Sequence, residues 1–207
     1  MFIYKLFIDG GIMMWPLGLC SILAFAAIVE RAMNLRESKI LRLDIMVEIE
    51  GLLRDSKLSE AFELIRNDPS PMMNVAKIAI INSDKPRKEL MQIIEDAGGQ
   101  EIPEMRKNLV MINTIASIAP LIGMLGTVLG MIQVFTTTFS ANGLDLKLLS
   151  VGISVSLITS ATGLIISVPC LIFYNFFSRK IENLTNKMEK YSNILMDLLL
   201  RFSGKVD

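Results

Sequence analysis

The sequence contains no histidine, which removes the commonest general base and metal ligand at the outset. Its two cysteines, Cys20 and Cys170, lie in separate apolar runs, so neither a disulfide framework nor a zinc site can be read from them. No charge of one sign dominates. Lys+Arg and Asp+Glu stand at 21 each, leaving neither a basic footprint for nucleic acid nor an acidic solvated tail. A nucleotide-binding glycine loop and a nucleophile elbow are missing too. These absences argue against an enzyme, and no cofactor is expected. What the chain has in quantity is apolar residues: 52% of its 207 positions are hydrophobic. Its mean hydropathy is +0.49, which points to a membrane.

Three runs are long enough to span a bilayer, which takes about 20 apolar residues as helix. They occupy residues 11–30, 108–138 and 148–177. A signal peptide is the competing reading of the first run, because Ala24-Phe25-Ala26 resembles a cleavage site. Against it, Asp9 and Lys5 together make a poor positive n-region. Basic residues set the orientation. Arg31, Arg36 and Lys39 follow the first run, Arg106 and Lys107 precede the second, and Arg179 and Lys180 follow the third. The N-terminal residues 1–10 and the loop 139–147 are therefore expected outside, and 31–107 and 178–207 in the cytoplasm.

The cytoplasmic parts read as helices. In LDIMVEIEGLLRDS, Ile45, Ile49, Leu52 and Leu53 share a face. Breaks are expected at Asp55-Ser56 and at Asp68-Pro69-Ser70-Pro71, with a helix start at Ser83-Asp84-Lys85-Pro86. A further helix should run from Arg87 toward the second span, interrupted near Gly98-Gly99 or Pro103. The tail continues helically, with Ile181, Leu184, Met188, Tyr191, Leu195 and Leu198 in helical register. Ordinary amphipathic packing accounts for both regions.

The second span, TIASIAPLIGMLGTVLGMIQVF, is less ordinary, because lipid alone would accept leucine throughout. On a helical wheel Asn113, Ala116, Ala119, Pro120, Gly123, Gly126, Thr127, Gly130, Val134 and Thr137 gather on one side. Leu121, Ile122, Leu125, Val128, Leu129, Ile132 and Phe135 fall on the other. Small residues four apart let another backbone approach closely, and tight helix packing alone would explain that face. The third span repeats the pattern, with Gly152, Ser156, Thr159, Ser160, Thr162, Gly163 and Ser167 in one wedge and Leu157, Ile158, Ala161, Leu164, Ile165 and Val168 on the complementary arc. One hydroxyl can bond its own helix carbonyl; five in a wedge suggest a protein face or wet cavity. Two matched faces suggest a subunit giving two helices to a shared lumen. Three spans can hardly enclose one alone, so a homo-oligomer around an axis is expected.

TIASIAPLIGMLGTVLGMIQVF resembles the second-span signature of the MotA/TolQ/ExbB proton channel family, nearest ExbB and TolQ. Gly11 with Trp15-Pro16 and IVERAMNLR is similar to the family's first span, and GISVSLITSATGLIISVPCLIFYN to its third. The resemblance implies an all-α integral membrane protein of the bacterial inner membrane, with three transmembrane helices and long cytoplasmic helical extensions. It also implies a pentameric ring around a pore lined by the second and third spans. Two copies of a single-span ExbD- or TolR-like partner would stand inside, an aspartate on each partner helix taking up and releasing the ion. A TonB- or TolA-like protein is a further expected partner. On this resemblance Thr127, Ser160, Thr159, Thr162, Ser156 and position 155 line the ion path. Gly123, Gly126, Gly130, Ala119, Pro120 and Gly163 make the pore wall against which the partner helix packs.

One departure matters. The family usually reads I-S-E-A-L at the start of the third span, with a pore-facing glutamate; this chain reads Ile153-Ser154-Val155-Ser156-Leu157. A buried carboxylate with a movable pKa is what a proton site exploits. Its loss leaves proton transfer to the partner's aspartate and bound water, or admits sodium on hydroxyl and carbonyl oxygens. Threonines serve in MotA-like relatives that lack this glutamate. A non-conducting ring or a passive cation channel that anchors a partner is the alternative that Val155 favours. A solute transporter would show internal repeats and broken helices, which are missing here.

Overall fold

The computed structural model describes residues 11–140 and 146–202, and among these the regular structure is entirely helical. The N-terminal residues 1–10 and most of the loop expected at 139–147 lie outside the described residues. In chain order the helices are α1 (Met14–Asn34), α2 (Glu37–Ile40), α3 (Leu43–Arg54), α4 (Leu58–Ile65), α5 (Pro71–Ile81), α6 (Arg87–Ser140) and α7 (Leu146–Phe202). Three of them, α1, α6 and α7, are long and apolar enough to cross a membrane. They carry the three runs read from the sequence.

The contacts divide the chain into two units. The first comprises residues 11–31 and 108–176. It is built from α1 and the apolar lengths of α6 and α7. Most of the large side chains that the wheel placed on the bulky side, such as Leu121, Leu125, Ile132, Leu157, Leu164 and Ile165, escape burial, whereas Ile122 and Ile158 are partly buried. With no water at that depth, every backbone group in such a segment must be satisfied by helix, which is why long unbroken helices form there.

The second unit comprises residues 32–107 and 177–202. Its core comes from stripes at helical spacing: Met46, Ile49 and Leu53 on α3, Ala61 and Ile65 on α4, and Ile181, Leu184, Met188 and Leu195 on α7. Met46 therefore centres the α3 face, and Ile45 and Leu52 sit at its margins. The breaks fall where turn chemistry puts them. Ser56 takes a left-handed conformation (φ 60°) just after α3, and Pro71 opens α5 at its first turn. Arg42 is likewise left-handed (φ 44°) before α3; its guanidinium bridges Asp44 and Asp68 at 3.3 and 3.0 Å.

One expectation fails. No interruption occurs at Gly98-Gly99 or Pro103; α6 runs unbroken from Arg87 through Ser140. Proline removes one hydrogen bond and crowds the carbonyl four residues back, but here that residue is Gly99, whose backbone yields easily. Leu90, Ile94, Ala97 and Met105 hold the same helix face buried on either side. Packing therefore outweighs a local propensity cost of about 1 kcal/mol per glycine.

Candidate functional site

The site begins with the seam between α6 and α7 in the first unit. Glycine has no Cβ, so each glycine reports how close its neighbour comes. A Cβ on Gly163 would lie 2.5 Å from the Ala119 carbonyl oxygen, and one on Gly123 would lie 3.1 Å from the Ser160 backbone. One on Gly126 would meet Thr159 Cγ2 at 2.5 Å. Gly130 faces Ser156 and Gly152 faces Val134 in the same manner. The small-xxx-small spacing thus lets two helices of one chain close on each other.

This amends the reading that gave these residues to a partner helix. Ala119, Gly123, Gly126 and Gly163 are buried against the chain's own α7 or α6. Ser156 and Thr159, 3% and 1% exposed, are covered there too. Their smallness already has a use inside the subunit. Their hydroxyls are also accounted for: Ser156 donates to the Gly152 carbonyl at 2.8 Å and Thr159 to that of Val155 at 2.9 Å. Thr162 donates to Ile158 at 2.8 Å and Thr127 to Met124 at 2.6 Å. Back-bonding of this kind lets hydroxyls sit at membrane depth without a ligand.

One hydroxyl reaches across the seam, and the sequence reading gave it no role. Ser167 Oγ, buried, donates to the Ala116 carbonyl at 2.5 Å. The reason lies in Pro120. A proline has no N–H, so the carbonyl four residues earlier, that of Ala116, loses its helical donor. Ser167 supplies the missing hydrogen bond from the facing helix. The pairing could have been sought in the sequence by looking for a hydroxyl opposite the carbonyl freed by each proline.

The first helix covers one flank of the seam. Met14 and Leu17 of α1 form a buried cluster with Ala119, and Ile122 and Ile166 pack against it. The start of α1 continues along that flank: Gly11 (φ 70°) would carry a Cβ 3.6 Å from Val155 Cγ1, and Met13 Cβ stands 3.4 Å from the space before Gly126. By helical spacing, Thr162 shares this flank with Val155 and Ile166. Thr127, Pro120 and Ser160 fall on the opposite flank, away from α1, and each remains half-buried. The structure therefore separates the candidate residues into three groups: a closed seam, a flank under α1 that holds Val155, and an uncovered flank that holds Thr127 and Ser160.

At the end of α1 lies a polar clasp. Arg31, 8% exposed, holds both carboxylate oxygens of Glu30 at 2.6 and 2.7 Å, and Asn108 Nδ2 of α6 donates to Glu30 Oε2 at 2.8 Å. A charge-assisted bidentate pair is a strong tie and marks where the apolar span meets polar surroundings. Among the described residues no group of histidine, cysteine or acidic side chains is arranged to hold a metal.

The profile of the MotA/TolQ/ExbB proton channel family matches residues 66–190, more than half of the chain. The chain is 29% identical over 175 residues to the "biopolymer transport protein ExbB-like 3" of Synechocystis sp., covering 81% of each. It is 40% identical over 84 residues to the "Biopolymer transport protein ExbB" of Helicobacter pylori, covering 41% of this chain and 58% of that protein. A match of 28% over 127 residues joins it to the "Tol-Pal system protein TolQ" of Haemophilus influenzae, covering 58% and 56%. The last two matches span less than two thirds of those relatives' length. The seam of small residues, the three apolar helices and these matches agree: the chain belongs to the MotA/TolQ/ExbB proton channel family and is similar within it to ExbB and TolQ.

Proposed function

We propose that the chain is the ring-forming subunit of an ion-driven motor in a bacterial inner membrane. Five copies surround a lumen, and two copies of a single-span ExbD- or TolR-like protein stand within it. Protons, or sodium ions, pass along the lumen, and the partner carries force into the envelope, with a TonB- or TolA-like protein as the next link. The N-terminus and the 139–147 loop face the periplasm and the C-terminus the cytoplasm, in keeping with the distribution of Lys and Arg.

The observation that carries this reading is the uncovered flank with Thr127 and Ser160. In a membrane, hydroxyl-bearing surface is placed toward protein or water rather than lipid. That flank is the surface to turn to the lumen, the bulky opposite face of each helix going to lipid. The closed seam makes each α6–α7 pair a stiff stave. Val155, beneath α1, is then wall and not path, and the ion's titrating group comes from the partner aspartate.

The test is native mass spectrometry of the complex, extracted mildly from cells that also express the neighbouring genes. Five copies with two of a single-span, aspartate-bearing protein is the expected result. A bare ring without such a partner would favour the second reading, a non-conducting ring or passive cation channel, for which the missing acidic residue at Val155 speaks.

A further inference from the structure

Pro169 sits inside α7, within the apolar length that belongs to the first unit. Having no N–H, it leaves the carbonyl four residues earlier, that of Ile165, without its helical donor. Pro120 does the same to Ala116, and there Ser167 supplies the bond from inside the chain. At Ile165 the chain offers no such help: among the described residues no side chain donates to it. Ile165 is 70% exposed and Pro169 is exposed as well, so this face of the helix is uncovered. An unmet carbonyl is costly at membrane depth, where lipid tails offer no donor. The donor has to come from outside the chain.

The seam fixes the depth at which to look for it. Its two helices run antiparallel, with Ser167 against Ala116 and Gly163 against Ala119. Ile165 is therefore level with residues 117 and 118 of α6. Ser117 is exposed, and by helical spacing it lies on the side of α6 away from the seam, near Leu121. Its hydroxyl donates to the Asn113 carbonyl at 3.0 Å, an acceptor that the helix already supplies with the Ser117 N–H. The hydroxyl can turn to another acceptor without leaving that carbonyl unmet. Ile165 likewise lies on the side of α7 away from the seam. Ala161, one turn before it, is small and exposed and leaves room beside the freed carbonyl.

These two groups stand on opposite edges of one α6–α7 pair, so they cannot meet within a chain. Rotation about an axis along the membrane normal preserves depth and brings one edge of a pair against the other edge of the next. We propose that Ser117 of one copy donates a hydrogen bond to the Ile165 carbonyl of the next copy, with Leu121 packing against Ala161 beside it. The inference rests on the ring reading and deepens it: at this edge the bulky side of one stave meets the next stave in place of lipid.

The test is disulfide cross-linking of the full chain in native membranes, in a Cys20→Ala, Cys170→Ala background. One variant carries Ser117→Cys with Ile165→Cys. A second carries Leu121→Cys with Ala161→Cys, which probes the same edge and keeps Ser117 and Ile165 in place. Mild oxidation should give a ladder of covalent oligomers from each pair and none from any single cysteine; either pair suffices if the other variant does not assemble. Native mass spectrometry before oxidation reports whether the ring is present. An intact ring with no ladder from either pair overturns the proposal and leaves the ring reading standing, whereas monomers alone overturn both. Dissociation of the ring in detergent reads the hydrogen bond itself. Ser117→Ala should weaken each contact by about threefold, the usual scale for a hydrogen bond between membrane helices. In a Pro169→Ala background, where the helix bonds the Ile165 carbonyl, the same change should have little effect. Equal effects in both backgrounds overturn the proposed bond.

Discussion

At the scale of single residues, Pro120 and Ser167 work as a pair. Proline frees the Ala116 carbonyl, and the serine hydroxyl takes it up across the seam at 2.5 Å. Ser167→Ala should therefore lower the unfolding midpoint in detergent, the cost of one buried unsatisfied carbonyl being about 1–3 kcal/mol. In a Pro120→Ala background the helix can bond that carbonyl itself, and the same serine substitution should cost much less. A double-mutant cycle by thermal or denaturant unfolding reads the coupling. Equal costs in both backgrounds would show that the hydroxyl does not serve the freed carbonyl. The glycines answer to the same logic. At Gly163 a methyl group would press on the Ala119 backbone, which cannot rotate aside, so Gly163→Ala should destabilise the chain and lower its yield from the membrane. Gly51 on α3 has nothing within 4 Å, and Gly51→Ala should stabilise by about 0.5–1 kcal/mol.

At the scale of elements, α6 and α7 each carry two patterns on one continuous helix: a small-residue seam in the first unit and an ordinary amphipathic stripe in the second. The seam depends on backbone contact and the stripe on apolar burial, so they tolerate different changes. The start of α3 shows a third device. Asp44 accepts from Arg42 at 3.3 Å, and that bond holds its carboxyl below the usual carboxylate range. A depressed carboxylate contributes stability above its unfolded pKa, and loses it as pH falls through the folded value. Asp44 is exposed and Arg42 partly so, which keeps the contribution small and salt-sensitive. Asp44→Asn should remove whatever acid dependence α3 contributes to unfolding, measured between neutral pH and the carboxylate range. An unchanged acid limb would place that dependence elsewhere.

For the whole molecule, the two flanks of the seam make opposite predictions. Thr127→Val and Ser160→Ala should each reduce energised function while leaving assembly intact, by about tenfold, or ~1.4 kcal/mol, if the hydroxyl steadies the transferring ion. Thr162→Val, on the α1 flank, should leave it near the original level. Growth or transport driven by the complex, with co-purification of the partner as the assembly control, separates these outcomes. Equal effects on both flanks would dismiss the assignment of the lumen face. Val155→Glu would place a carboxylate half-buried against the start of α1; a gain in proton dependence of ion flux would bring position 155 back onto the path, and no change would leave it as wall.

Much of this was legible in the sequence. Three apolar runs become three helices able to cross a membrane, because only satisfied backbone survives at that depth. The stripes through Ile49, Leu53, Ile181, Leu184 and Met188 become core, because 3.6-residue periodicity places them on one face. The family resemblance also rested on residues that any reader can quote. What the tertiary structure decided is which neighbour each special residue meets. A wheel shows that Gly123, Gly126, Gly130 and Thr127 share a side; it does not say whether that side closes on the same chain or on another. Close approach through missing Cβ atoms assigned the glycines to the α6–α7 seam, and the position of α1 parted Val155 from Thr127 and Ser160. Gly98-Gly99 and Pro103 failed as a break for the same physical reason. Periodicity and propensity act along one helix, whereas the burial that outweighs them is supplied by residues distant in sequence and becomes visible only when the helices are packed.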